Sequence, residues 1–178
     1  MERVLIAFEG NNGMTRDCAE RLSRELNRTE TVLWDLSSGL PDRTGFDLMV
    51  VGSNVRHGRL RPNVRKLLRE ESVKPDAVPI GIFLCCGFPD RFEEYRDRLI
   101  PRPIRERARF IVNFGGSLNP SGKPFWDRVY LFFSRSAVIE SEIDDGEYTP
   151  VLPGMIPENI CQIAEEIRKN FAGKPRNR

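Results

Sequence analysis

The chain has 178 residues, of which 39% are hydrophobic, with a formal net charge of +2 and a pI near 8.4. This length and apolar content fit one compact domain over residues 1–178, and so small a net charge gives no reason to expect a nucleic-acid partner. No apolar run approaches the roughly 18 residues that span a bilayer, and the N-terminus lacks a secretion signal, so we expect a cytoplasmic protein.

An apolar strand leads directly into a glycine-containing loop and a helix at the start of the chain. Residues 4–8 form a continuous apolar run, which fits a strand buried on both faces of a parallel sheet. Thr15 can cap the helix that follows, while Gly10 and Gly13 let the backbone turn tightly and approach a ligand. Such a loop binds anions through its backbone. The predicted phosphate-binding loop comprises Glu9, Gly10, Asn11, Asn12, Gly13, Met14 and Thr15.

Two familiar phosphate loops do not fit this stretch. A Walker loop needs a lysine after its last glycine, whereas Met14 follows Gly13 here. A dinucleotide fingerprint needs three glycines, and this loop has two. A carboxylate facing a phosphate would cost Coulomb energy, so we expect Glu9 to turn away from the phosphate or to meet a cation.

The rest of the chain alternates strands and helices. Further strands are predicted over residues 31–34, 47–53, 80–86 and 109–114. Helices are predicted from about Pro62, over residues 92–100 and over residues 157–171, with Pro101 and Pro103 ending the second of these. Five apolar strands separated by helices predict an α/β fold with a doubly wound, five-stranded parallel sheet in three layers, and an insertion over about residues 117–150 after the fifth strand.

Ligands of such sheets bind outside the carboxyl ends of the strands, at the topological switch point. Besides the first loop, this rule selects the loops after the third and fourth strands, which we expect to flank a planar group attached to the phosphate. The predicted flanking residues are Asn54, Val55, Arg56, His57 and Gly58 in one loop and Cys86, Gly87 and Phe88, continuing to Asp90, in the other.

Several side chains near these loops allow two interpretations each. His57, the only histidine, either contacts the ligand ring or is solvated. Arg56, Arg59, Arg61 and Arg65 either receive an acidic substrate or partner, or form an ordinary solvated face.

The four cysteines argue for a reducing compartment. Cys18, Cys85, Cys86 and Cys161 show no C-x-x-C spacing and fall in predicted core segments, so we expect neither a metal site nor a disulfide framework. Adjacent side chains of a strand point to opposite faces, so we expect one of Cys85 and Cys86 in the core and the other near the ligand.

The insertion is rich in aromatic and basic residues. The aromatic residues Phe125, Trp126, Tyr130, Phe132 and Phe133 cluster with the aliphatic Val129, beside the basic Lys123, Arg128 and Arg135. Three alternatives are open: a buried helix over the sheet edge, a wall beside the ligand for a hydrophobic substrate, or an amphipathic patch that rests on a membrane and collects a quinone.

The loop that ends in Gly13 and Thr15 resembles the flavodoxin phosphate loop. Three longer runs extend the resemblance over nearly the whole chain, to the flavodoxin-domain family that includes the menaquinone-dependent protoporphyrinogen oxidases. His57 in VRHG stands where that family has an aromatic residue, and Trp126, Asp127 and Arg128 match its aromatic-Asp-Arg element. The runs are VLIAFEGNNGMTRDCAERLSREL, FDLMVVGSNVRHGRLRPNVRKLL and ARFIVNFGGSLNPSGKPFWDRVYLFFSRS.

The resemblance implies a flavodoxin-like fold that binds one FMN and performs redox chemistry. The activity it implies is that of an oxidoreductase which oxidises protoporphyrinogen or passes electrons to a quinone, with contact to the inner face of the membrane as one arrangement. The partner would then be a redox partner or a hydrophobic planar substrate of the quinone or porphyrin type. The alternative is a non-enzymatic electron carrier, although such carriers are usually acidic.

Overall fold

The computed structural model describes residues 2–10, 13–27, 29–74, 78–116 and 154–172. Five strands form one parallel sheet in the order β2-β1-β3-β4-β5. The strands are β1 (Arg3–Glu9), β2 (Glu30–Asp35), β3 (Leu48–Asn54), β4 (Ile80–Cys85) and β5 (Ile111–Asn113). The helices are α1 (Met14–Glu25), α2 (Pro62–Ser72), α3 (Phe92–Leu99), α4 (Arg102–Arg107) and α5 (Pro157–Ala172), with 3-10 turns at Leu36–Ser38 and Pro89–Arg91.

The sheet has its switch point between β1 and β3. Val4 of β1 pairs with Thr31 of β2 on one side and with Leu48 of β3 on the other. After β1 the chain forms β2 on one side of β1 and then crosses to form β3 on the other side. The loops after β1 and β3 therefore diverge and leave a crevice between them. The predicted doubly wound parallel sheet is confirmed.

Two apolar clusters cover the two faces of the sheet. Val4, Ile6 and Phe8 of β1 pack with α1 and α5, whereas Leu5 and Ala7 pack with α2 and α4. Because successive side chains of a strand point to opposite faces, a strand covered on both sides must be apolar throughout, as β1 is. The result is the predicted three-layer arrangement.

The structure corrects two local expectations. Thr15 is not the cap of α1, because the helix already begins at Met14 and Gly13 occupies the capping position. Pro101 and Pro103 end α3 as expected, but they also open α4, because proline is tolerated in the first turn of a helix. The other predicted boundaries lie within two residues of the observed ones, and the insertion lies outside the described residues.

A close contact between β3 and β4 depends on a glycine. Gly52 pairs with Phe83, and the Phe83 ring lies directly over the glycine, so that a Cβ at position 52 would lie 2.1 Å from Phe83 Cζ. Phe83 is fully buried and stacks on Phe114 with ring centroids 4.7 Å apart. A side chain at position 52 would have to displace this buried, stacked ring, so the packing favours glycine there.

We expect Gly52→Ala to destabilise the protein by about 1–3 kcal/mol, because the added methyl group overpacks a closed region of the core. The midpoint of urea unfolding measures this change. Gly154→Ala is the matched control, since a Cβ there would meet no atom of the described residues within 4 Å. Equal midpoints for the two variants would contradict the packing described.

Candidate functional site

The candidate site lies at the carboxyl edge of the sheet, where the loops after β1, β3, β4 and β5 meet. Hydrogen bonds join these loops in pairs. Glu9, at the end of β1, accepts from the amide of Asn63 in α2 at 3.0 Å. The amide of Val55, after β3, donates to the carbonyl of Cys85 in β4 at 3.0 Å. The predicted site residues that the structure describes are thereby brought to one edge.

The first loop turns into α1 at Gly13. Gly13 has φ of 80°, in the left-handed region that favours glycine. No side chain among the described residues caps the first turn of α1, so its amide groups remain available to an anion. Asn11 and Asn12 lie outside the described residues. The loop therefore retains the backbone features of a phosphate site.

Thr15 is buried beneath this loop. Its side chain is fully buried beside the Cys85 thiol, and its Oγ1 has no hydrogen-bond partner of ordinary geometry within the described part of the chain. Gly10 presses against it, since a Cβ at Gly10 would lie 2.4 Å from that oxygen. A buried hydroxyl left without a partner costs about 1–3 kcal/mol, which a ligand atom that accepts its hydrogen would offset.

Glu9 both turns away from the loop and meets a cation. Its Oε2 accepts from the Asn63 amide in the first turn of α2, and its Oε1 lies 3.6 Å from Nε of Arg61. The carboxylate therefore caps α2 from outside the helix and complements the positive end of the helix dipole. Ser53, which the sequence did not single out, supports the same turn by accepting from the Arg61 amide at 3.2 Å.

The second loop is a tight hairpin. Arg56 and Arg59 exchange backbone hydrogen bonds of 3.0 and 2.9 Å. Between them His57 and Gly58 have φ of 50° and 66°, which makes the connection a type I′ turn. Arg98 of α3 donates to the Gly58 carbonyl at 3.3 Å. This contact fixes a hairpin whose exposed His57 stands at the rim of the crevice.

The third loop is held by an asparagine that the sequence analysis missed. Asn113 Oδ1 accepts from the amides of Cys86 at 3.2 Å and Gly115 at 3.0 Å, and its Nδ2 donates to the Cys86 carbonyl at 3.4 Å. The backbones approach closely, so that a Cβ at Gly116 would lie 2.3 Å from the Gly87 amide nitrogen. The signal that could have found Asn113 was its place as the single polar residue inside the apolar run FIVNF.

The adjacent cysteines face different surroundings. Cys85 joins the apolar cluster of α1 and α5, where its thiol lies 3.9 Å from that of Cys18. The hydrogen bond to Cys18, together with burial, raises the pKa of Cys85 well above its usual value. Cys86 donates to the carbonyl of Phe88 at 3.2 Å, and burial raises its pKa as well. Both thiols therefore stay protonated at neutral pH, where they are poor nucleophiles.

Two further kinds of site are absent from the described residues. No group of three or more His, Cys, Asp or Glu side chains in that part of the chain is arranged to hold a metal ion. Within the same residues no helix has both the length and the apolar character needed to cross a bilayer.

The strand order, with a glycine loop after β1 at the switch point, defines a doubly wound α/β protein. A family model for the flavodoxin domain matches residues 5–138, so the chain belongs to the flavodoxin domain family. A search among curated proteins found no match.

Solved structures share this fold at low sequence identity. A Fusobacterium nucleatum flavodoxin bound to flavin mononucleotide is 12% identical with a TM-score of 0.57, covering 96% of this chain and 99% of that one. Oxidised flavodoxin 2 from Bacillus cereus is 14% identical with a TM-score of 0.57, covering 95% and 99%. A flavo di-iron protein mutant from Thermotoga maritima is 12% identical with a TM-score of 0.55, covering 95% of this chain but 36% of that one. The predicted flavodoxin-like fold is confirmed, whereas none of these matches selects the protoporphyrinogen oxidase branch.

We expect Glu9→Ala to destabilise the protein by about 0.5–2 kcal/mol, because the first turn of α2 loses its cap and Arg61 its counter-charge. Thermal unfolding measures the loss. Glu25→Ala removes a carboxylate from a more exposed ion pair with Arg21, 3.4 Å long, and should cost only a few tenths of a kcal/mol. If both variants unfold at the same temperature, Glu9 has no structural role at α2.

Proposed function

We propose that the chain binds FMN at the carboxyl edge of the sheet and acts as an FMN-dependent redox protein. The observation that carries the proposal is the conformation of the first loop: Gly13 at φ of 80°, an α1 N-terminus without a side-chain cap among the described residues, and the buried Thr15 hydroxyl. Together these groups offer a phosphate several hydrogen-bond donors and the positive end of a helix dipole. Membership of the flavodoxin domain family supports this cofactor.

Each loop has a role in this proposal. The amides that follow Gly13 and the Thr15 hydroxyl would hold the phosphate, while the loops of residues 54–58 and 86–90 would flank the isoalloxazine ring. FMN supplies one-electron and two-electron chemistry when bound. The protein contributes the position of the ring, because the Arg98 contact to Gly58 and the Asn113 contacts to Cys86 hold both flanking loops.

Most of the charge around the first loop is neutralised within the protein. Glu9 is engaged by α2, and Asp35 accepts from Arg16 Nη2 at 2.6 Å. The hydrogen bonds from Ser37 and the neighbouring Arg16 lower the pKa of Asp35, which keeps this carboxylate ionised and paired. Asp17 adds a carboxylate near Gly13, where a Cβ would lie 4.0 Å from Asp17 Oδ2. Phosphate binding would therefore depend on backbone and hydroxyl donors rather than on a basic side chain.

A second candidate is an enzyme that oxidises protoporphyrinogen or reduces a quinone. It is favoured by the aromatic residues between positions 125 and 133, including Trp126, which lie outside the described residues. Such side chains can stack on a planar substrate. Steady-state oxidation of protoporphyrinogen, whose electrons pass through the FMN-loaded protein to a soluble quinone, tests this candidate. An enzyme should saturate with protoporphyrinogen and exceed the rate with free FMN, whereas a carrier without a substrate site should not.

We expect Gly13→Val to lower the affinity for FMN by about tenfold or more. A β-branched residue at this φ costs about 1–2 kcal/mol, so the backbone shifts and the amides leave the phosphate. Isothermal titration with FMN measures the affinity. Gly45→Val is the matched control, because Gly45 has φ of 79° but lies in the turn before β3, at the opposite edge of the sheet.

Both glycine variants should lose similar stability, and only Gly13→Val should lose FMN affinity. Unchanged affinity in Gly13→Val would place the phosphate elsewhere. A parent protein that binds no FMN would overturn the proposed function itself.

The Thr15 hydroxyl gives an independent test. We expect Thr15→Val to keep or raise the stability of the FMN-free protein, because it removes a buried hydroxyl that lacks a partner. The same change should weaken FMN binding by about tenfold or more, since a hydrogen bond to a charged phosphate is lost. Thr15→Ser keeps the hydroxyl and should retain most of the affinity. Isothermal titration of the parent and the two variants with FMN measures these affinities. Equal affinities for Thr15→Val and the parent would exclude the hydroxyl from the site.

A further inference from the structure

We propose that the outer face of α2, together with the hairpin before it, is the docking surface for an acidic protein that exchanges electrons with the flavin. This inference rests on the proposed FMN function and adds the class of partner. The surface, called the basic stripe below, consists of Arg59, Arg65, Lys66 and Arg69. All four side chains are exposed, and none makes an ion pair with another described residue.

The cations of the basic stripe are unpaired, and in this they differ from many other arginines of the described chain. Many of those are neutralised by a neighbouring carboxylate, as in the pairs of Arg3 with Glu30, Arg16 with Asp35 and Arg98 with Glu94, at 2.9, 2.6 and 3.0 Å. Among the described residues, Arg24 and Arg168 are also unpaired, but they stand on helices of the opposite layer, and the unpaired Arg91 and Arg109 are single cations outside any helix longer than a 3-10 turn. Within the described residues, Arg65, Lys66 and Arg69 form a run of unpaired cations along α2, a helix that begins beside the candidate site.

The spacing along α2 makes this gathering unfavourable for the isolated protein. Arg65 and Arg69 are four residues apart and share one face of the helix, where like charges repel by a few tenths of a kcal/mol. Glu71 cannot relieve them, because it is buried and engaged by Arg43, Lys74 and Arg107. Glu70 makes no ion pair with any described residue. Carboxylates on a partner would remove this repulsion on binding.

The position of the stripe suits electron transfer. The first turn of α2 is tied to the switch point by Glu9 through Asn63 and by Ser53 through the Arg61 amide. A partner that rests on Arg59 and Arg65 would therefore cover the hairpin of residues 56–59, which is one of the loops proposed to flank the ring. The arrangement brings a docked redox group close to the flavin without a change in the fold.

The structure favours a protein over a lipid surface as the occupant. Helices that lie on membranes turn an apolar face outward, whereas the apolar residues of α2, Val64, Leu67 and Leu68, are buried in the core. Val73 is 80% exposed, but it follows the C-terminal end of α2, at the far edge of the sheet from the site. The exposed face beside the site is charged and offers little to insert into a bilayer.

The test uses two haem proteins of opposite charge as electron acceptors for the FMN-loaded protein after reduction. The acidic haem domain of cytochrome b5 and the basic cytochrome c each take one electron from the reduced flavin onto a ferric haem. Stopped-flow measurements at ionic strengths of about 0.01 M and about 0.15 M report how far surface charge guides the encounter.

The variant R65E/R69E reverses the stripe, and R24E/R168E is its matched control. Each substitution removes one positive charge and adds one negative charge, so each double variant moves the formal net charge from +2 to −2. The control changes helices of the opposite layer. A difference between the two variants therefore reports the location of the charge and not its total.

We expect the parent to react with the cytochrome b5 domain more slowly as ionic strength rises. R65E/R69E should lower that rate constant about tenfold at low ionic strength, whereas R24E/R168E should change it less than about twofold. With cytochrome c, R65E/R69E should be faster than the parent. Equal effects of the two variants, or no effect of R65E/R69E, would overturn the proposal.

Two further measurements separate the alternatives. Sedimentation with phosphatidylserine-containing vesicles tests the lipid alternative: vesicle binding by the parent that R65E/R69E abolishes, with the cytochrome b5 reaction unchanged, would assign the stripe to lipid and overturn the proposal. Isothermal titration of the FMN-free protein with the cytochrome b5 domain tests docking alone. If FMN does not bind, the proposed function fails, while this titration still decides whether the stripe receives an acidic protein.

Discussion

The contact on which the candidate site depends is that between Glu9 and the first turn of α2. β1 ends in a carboxylate, and that carboxylate accepts from the Asn63 amide at 3.0 Å. It thereby joins the two strands on either side of the switch point, because α2 follows β3. The same contact removes a negative charge from the loop proposed to bind phosphate. A residue that looks unfavourable for anion binding in the sequence thus stabilises the helix beside the site and leaves the loop to its backbone donors.

The other loops of the edge are held by similarly specific polar contacts. Asn113 binds the amide and carbonyl of Cys86, and Arg98 binds the carbonyl of Gly58. Such contacts satisfy backbone groups that leave the sheet, where no neighbouring strand is present to pair with them. They also fix the flanking loops before any ligand arrives, which lowers the conformational entropy that binding must overcome.

Charge is distributed unevenly around the candidate site. Glu9 and Asp35, two carboxylates near the first loop, are matched by Arg61 and Arg16. The cations of the basic stripe on α2 have no such counterparts among the described residues. A net charge of +2 conceals this contrast, because the exposed ion pairs elsewhere cancel in the total. Recognition of a partner depends on the local field near the site and not on that total.

The sequence alone indicated the strands, their parallel arrangement and the loop after β1, because continuous apolar runs such as residues 4–8 fit strands covered on both faces. It also indicated the need for glycine at Gly13, which the φ of 80° confirms. Tertiary structure alone decided the partner of Glu9, the contacts of Asn113 and the burial of the Thr15 hydroxyl. Each of these joins segments distant in the chain or depends on how closely two backbones approach, and local periodicity carries no information about either.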